Sequence, residues 1–136
     1  MAEITTVFSE TRQYKDVSST FGVNPVTHDV IAATNAEAVK QALRMILLTR
    51  TGEVPFFPNF GSRIYRLLFE PIDPVTTILL KTEIAATITA FEPRVQLRQL
   101  DVVPSDDEHT YRVTLLFNLV NQVQPITLSL FLTRLR

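Results

Sequence analysis

Glu92-Pro93-Arg94 sets a carboxylate and a guanidinium two residues apart, around the one residue that cannot continue a helix. Pro93 pushes Glu92 out of helical geometry, and side chains two apart on an extended segment share a face. An acid beside a base raises the question of catalysis. Glycoside hydrolysis needs two carboxyls flanking the scissile bond, one of them kept protonated by its surroundings. Away from obvious helix caps, the candidates are Glu53, Glu70 and Glu92. Each has a plainer reading. Glu53 lies on a loop and Glu70 ends a short helix, while Glu92 has Arg94 beside it. A neighbouring guanidinium favours the charged form of a carboxyl, the wrong direction for a general acid. The chain also has no Ser-His-Asp order, no glycine-rich phosphate loop and no HExxH motif. No catalytic residue and no cofactor is expected. A peptidoglycan hydrolase using Glu53, Glu70 or Glu92 is the alternative.

Two uses of Arg94 stand side by side. A guanidinium fork held rigidly by a proline can grip carboxylates or helix C-terminal carbonyls on a neighbouring protein. It can equally close an internal pair with Glu92, worth roughly 0–1 kcal/mol if exposed.

The elements that position this segment follow from periodicity. Thr34-Asn35-Ala36-Glu37 has the form of a capping box, and the helix after it carries Val39, Ala42, Leu43, Ile46 and Leu47 on one stripe. Thr51-Gly52 ends it, with Gly52 supplying the left-handed conformation. The loop RTGEVPFFPNFG, residues 50–61, holds two prolines and three phenylalanines. Phe56, Phe57 and Phe60 are expected to pin it to the core. A short helix, SRIYRLLFE, stops before Pro71 with Ile64, Leu67 and Leu68 inward. Asp73 then caps the longest helix, with Pro74 at its first position. Its expected buried stripe is Ile78, Ile84, Ala85, Ile88 and Phe91, and Pro93 ends it near Phe91.

Beyond Pro93 the period changes to two. Val95 and Leu97 alternate, Leu100 and Val102 resume in the opposite phase, and a bulge is expected near Arg98-Gln99. Tyr111, Val113, Leu115, Phe117 and Leu119 line one face of the next strand. Ile126, Leu128, Leu130 and Leu132 line one side of the last. The fold class is α+β, two long helices and one short helix packed on a small antiparallel C-terminal β-sheet. Residues 1–136 read as one domain, with an N-terminal arm (1–26), a helical core (27–94) and a C-terminal sheet (95–136).

Composition limits the partners. A net charge of −1 gives no reason to expect nucleic acid or a membrane surface. The absence of cysteine excludes disulfides and thiolate metal sites. His28 and His109 are far apart in sequence, without the spacing of a metal-binding pair. The polar start does not read as a signal peptide, and no apolar stretch reaches the ~20 residues of a spanning helix. A protein made and kept in the cytosol is expected, unless a larger assembly carries it elsewhere.

The last strand carries the strongest physical clue. From Gln122 to Thr133 there is no charge, and ITLSLFL has high β-propensity without an internal proline. Left bare, such an edge invites aggregation, so it is either buried centrally or paired with another chain. With about three strands, one edge must be exposed or covered by a partner. The expected partner-binding residues are therefore Glu92, Pro93 and Arg94, together with Ile126, Leu128, Leu130, Phe131 and Leu132.

These motifs add up to a resemblance. Leu48-Thr49-Arg50-Thr51-Gly52-Glu53, Pro55-Phe56-Phe57-Pro58-Asn59-Phe60-Gly61, Leu68-Phe69-Glu70-Pro71 and Glu92-Pro93-Arg94 resemble the contractile-tail baseplate wedge family, historically labelled tail lysozyme-like. The likeness is most specific from about Asp29 to Arg94 and looser through the C-terminal strands. It implies a structural protein of the virion, in the tail baseplate, assembled in the host cytoplasm. The implied partners are other baseplate wedge proteins, the tail sheath protein and tail tube or hub proteins. It further implies that the Glu-Pro-Arg segment holds wedge proteins together and that the C-terminal strands start the sheath. The same part serves in bacterial secretion or injection systems as an alternative setting.

Overall fold

The computed structural model describes residues 15–17, 21–28, 32–105, 109–120 and 122–134. In order these form β1 (Lys15–Val17), β2 (Ala32–Thr34), α1 (Ala36–Leu48), α2 (Ile64–Leu67), α3 (Pro74–Phe91), β3 (Val95–Pro104), β4 (Thr110–Leu119) and β5 (Ile126–Thr133). The fold is α+β, with a three-stranded antiparallel sheet in the order β3-β4-β5. β1 and β2 form a separate antiparallel pair. The sequence reads a short strand at Val30-Ile31-Ala32, of which only Ala32 lies among the described residues, at the start of β2. The Gln41 side-chain amide donates to the Val17 carbonyl at 2.7 Å and ties that pair to α1.

The core lies between the inner face of the sheet and the helices. Tyr111, Val113, Leu115, Phe117 and Leu119 of β4 are fully buried, as strict alternation on a central strand requires. Leu128, Leu130 and Leu132 of β5 join them from one side, with Val95 and Val102 of β3 on the other. Val39, Leu43 and Leu47 of α1 and Leu80, Ile84 and Ile88 of α3 close the layer above. The register of β3 against β4 shifts between Leu97 and Gln99, the bulge that the change of phase predicts.

Three local expectations are corrected. The capping box does not form. Asn35, at φ 49, is the N-cap of α1 with no side-chain capping bond, and Thr34 belongs to β2. Glu37 pairs instead with Lys40 at 3.0 Å. The short helix spans only Ile64–Leu67. On α3 the buried residues are Thr76, Leu80, Ile84, Thr87 and Ile88, whereas Ile78 is 63% exposed. Thr87 can be buried because its hydroxyl donates to the Glu83 carbonyl one turn back at 2.7 Å. The Asp73 cap and Pro74 stand as expected, the Asp73 carboxylate accepting from the Thr76 amide at 2.6 Å.

Candidate partner-binding site

The helix–sheet corner is built by Pro93. α3 ends at Phe91, Glu92 takes φ −128 as its C-cap, and β3 begins at Val95. Arg94 turns back, its Nε–H donating to Glu92 Oε1 at 2.5 Å and its terminal nitrogen to Glu92 Oε2 at 2.7 Å. The fork is bidentate, which is the strong geometry for this pair. Glu92 is only 3% exposed, while the Arg94 side chain keeps about a third of its surface open. The Arg94 carbonyl accepts from the Val120 amide at 3.0 Å, so the same residue also anchors the end of β4. Of the two uses of Arg94, the internal pair is present.

The other two carboxylates do not join Glu92 in a paired site. Glu53 is exposed and accepts the Arg50 amide at 2.9 Å, closing a turn in its own loop. Glu70 is exposed after α2.

β5 is one of the sheet's two edge strands, β3 being the other, and among the described residues no strand lies beyond it. Its ladder parity can be read directly. Directly opposed residues of an antiparallel pair alternate between exchanging hydrogen bonds and not doing so. The Arg134 amide donates to the His109 carbonyl at 2.6 Å. Counting back along the register, Leu132, Leu130 and Leu128 face β4 with their backbone groups. Thr127, Ser129, Phe131 and Thr133 therefore aim N–H and C=O outward, off the sheet. The inward side chains of Leu128, Leu130 and Leu132 are spent on this chain's own core, and Ile126 packs against it. What β5 leaves open is its backbone edge and the exposed Phe131 ring, over which the Arg112 guanidinium lies at 5.9 Å.

The loop between α1 and α2 is a third surface, and here the expectation fails. Phe60 does pack inward, edge-on to Phe91 with ring centroids 5.2 Å apart. Phe56 and Phe57 instead are 97% and 67% exposed. The loop base is nevertheless tightly closed. The Ser62 amide donates to the Thr49 carbonyl at 2.9 Å, and the buried Ser62 hydroxyl donates to the Leu47 carbonyl at 2.7 Å. Gly61, at φ 106, passes so near Thr49 that a Cβ would lie 2.6 Å from its carbonyl oxygen. Two aromatic rings are thus held in solvent on a braced loop. Sequence reasoning missed this because Pro55 and Pro58 mark order without saying which way the rings point.

Comparison with known proteins gives these surfaces a setting. The family described as Baseplate wedge protein gp25 matches residues 33–124. Baseplate wedge protein gp25 of Enterobacteria phage T4 is 30% identical over 98 residues, covering 72% of this chain and 74% of that protein. Among solved structures, a Geobacter sulfurreducens protein named a tail lysozyme superposes with a TM-score of 0.73 at 21% identity, over 79% of this chain and 98% of that one. A chain of the anti-feeding prophage baseplate does so with 0.63 at 19% identity, over 91% and 88%. A chain of the post-contraction pyocin R2 baseplate gives 0.56 at 25% identity, over 74% and 97%. The two relatives below a quarter identity share the fold alone. The family match covers every helix and the sheet through β4, including the braced loop and the Glu92–Arg94 corner. On that match, the chain belongs to the gp25 family of baseplate wedge proteins.

Proposed function

We propose that this protein is a non-enzymatic structural part of a contractile-tail baseplate wedge, joining the wedge core to the tail and starting sheath polymerisation. In this reading the Glu92-Pro93-Arg94 corner meets other wedge proteins, and β5 offers its outer edge to a strand of the tail sheath protein. Tube or hub proteins are the remaining neighbours. The setting is the tail baseplate of a virion or phage-like particle, assembled in the host cytoplasm.

The observation that carries the reading is the uncharged β5 with four residues directing backbone groups outward. Main-chain bonds to an added strand supply affinity without demanding a particular partner sequence. The test uses that parity. Proline at Ser129 removes one outward N–H and spares the bonds to β4, as edge prolines do. Ser129→Pro is expected to keep a cooperative melt yet yield baseplates with little or no sheath. Leu130→Pro, which strikes the inner ladder, is expected to unfold the sheet. Full-length sheath on Ser129→Pro and Thr127→Pro baseplates alike would defeat the proposal.

A hydrolase reading gains nothing from the geometry. The Glu92 carboxylate is held in a bidentate pair and Glu53 closes its own turn. No turnover of purified cell wall is expected at any pH, and turnover abolished by Glu→Gln at Glu53, Glu70 or Glu92 would overturn this. The likeness to anti-feeding prophage and pyocin baseplate chains supports an injection particle as the alternative setting for the same part. Neighbouring genes for capsid proteins would decide for a phage.

A further inference from the structure

A groove of ≈ 180 Å³ runs between the end of β5, at Phe131 to Thr133, and the corner where α1 ends and α2 begins. Its floor is apolar, made by Leu47, Leu48, Ile64 and Leu68. Leu48 is 62% exposed there, although it lies one residue past the buried Leu47. A strand added beside β5 would turn every second side chain toward this floor, because side chains alternate across a sheet. The seat for the inward residue of a fourth strand already exists.

The rim of the groove is basic. Two guanidinium groups lie over the Tyr65 ring, Arg50 at 5.3 Å and Arg66 at 5.8 Å from the centroid. Arg66 is further fixed by its Nε–H, which donates to the Tyr65 hydroxyl at 3.2 Å. Among the described residues neither arginine stands within ion-pair distance of an acid. Stacking on a ring orients a guanidinium while leaving its N–H fork available for a carboxylate. Arg112 over Phe131 adds positive charge at the same end of the strand.

We propose that this groove is a side-chain subsite for the added strand, taking an apolar residue against Leu48 and Leu68 and an adjacent Asp or Glu at Arg50. The occupant is a strand of a second protein, and the proposal rests on strand addition at β5. Backbone pairing alone would accept many sequences in several registers. The apolar seat fixes the register and the arginine selects an acidic strand.

The test places a photo-crosslinking benzoylphenylalanine at Leu48 or at Ser129 in the full chain, inside particles assembled in cells. Both positions are expected to capture one and the same β-prone segment, with an acid within two residues of the Leu48 crosslink. Arg50→Glu is expected to lower the number of sheathed particles about tenfold relative to Arg50→Lys, as loss of a charge-assisted contact would, with an unchanged melt. Capture from Ser129 but not from Leu48, or of a segment without an acid, overturns the subsite and leaves strand addition intact. Capture from neither position overturns both. Capture of a second copy of this chain, or of its residues 1–14, overturns the assignment to a second protein.

Discussion

Replacing Arg94 by alanine separates a clasp turned inward from one turned outward. Glu92 is buried, its side chain only 4% exposed, and both carboxylate oxygens are taken by Arg94 at 2.5 and 2.7 Å. Removing the arginine strands a buried carboxylate, which in a fully enclosed pair costs about 3–5 kcal/mol. Arg94 is 34% exposed, so water can reach part of the site and the lower end, about 3 kcal/mol, applies. For a chain of this size that corresponds to a melting temperature lowered by roughly 10 °C. Glu92→Gln keeps the shape and removes the charge, so it should cost only about 1 kcal/mol. The double variant should then be more stable than Arg94→Ala alone, since no charge is left buried. Urea titration of the four proteins reads this as midpoint shifts at constant slope. If Arg94→Ala lowered the melting temperature by less than about 2 °C, or if the two changes were simply additive, the pair would contribute nothing. Arg94 would then be held in reserve for a partner.

Four more predictions concern the frame around the surfaces. Gly61→Ala drives a methyl to 2.6 Å from the Thr49 carbonyl oxygen at a positive φ and should cost about 3 kcal/mol or more by thermal melting. Gly52→Ala, with nothing within 4 Å of its Cβ, should cost only about 1–2 kcal/mol. The Thr76 amide holds the Asp73 carboxyl below its ordinary value of 3.8. A depressed acid stabilises the fold above the unfolded value and loses that contribution as pH falls through the folded one. Asp73→Ala should therefore melt lower than wild type at pH 7, with the gap closing below pH 3.8. Phe56→Ser should leave the melt unchanged within about 0.5 kcal/mol. It should still reduce incorporation into baseplates, measured by particle composition.

The C-terminal half was legible because its burial is one-sided. A sheet with helices on one face imposes strict alternation, so the buried residues of β4 and β5 and the bulge in β3 can be read by counting. α3 resists the same treatment. Its sequence is apolar or small nearly all round, so more than one stripe can be drawn, and the true one includes two threonines. A hydroxyl bonded to the preceding turn makes Thr87 acceptable inside, and Thr76 sits at the Asp73 cap, where its amide donates to the carboxylate. β1 and β2, three residues each, are too short for a period to fix their bounds. The direction of the rings at Phe56 and Phe57 depends on a left-handed Phe56, at φ 69, which no sequence rule would assign to a phenylalanine. At the corner, Pro93 announced the junction, but only coordinates could choose between the two uses of Arg94.

The misplaced apolar residues share one physical source. Val75, Ile78 and Leu79 on α3, Phe56 and Phe57 on the braced loop, and Phe131 on β5 are all large, apolar and exposed. Reasoning that assigns apolar residues to the core of an isolated chain misplaces Ile78, Phe56 and Phe57, because it assumes that the chain must bury them by itself. Surfaces of this kind are expected on a part built into a larger body, where neighbours complete the burial. The braced loop makes the same point in energetic terms. A close-packed Gly61, a buried Ser62 hydroxyl and two backbone bonds rigidify a segment whose Phe56 and Phe57 side chains are exposed. Rigidity there adds little burial of Phe56 and Phe57 to the isolated protein, but it lowers the ordering cost of any contact the tip makes. The chain belongs to a family of baseplate wedge proteins, and exposed, preorganised aromatics are what a part of a larger assembly would present to its neighbours.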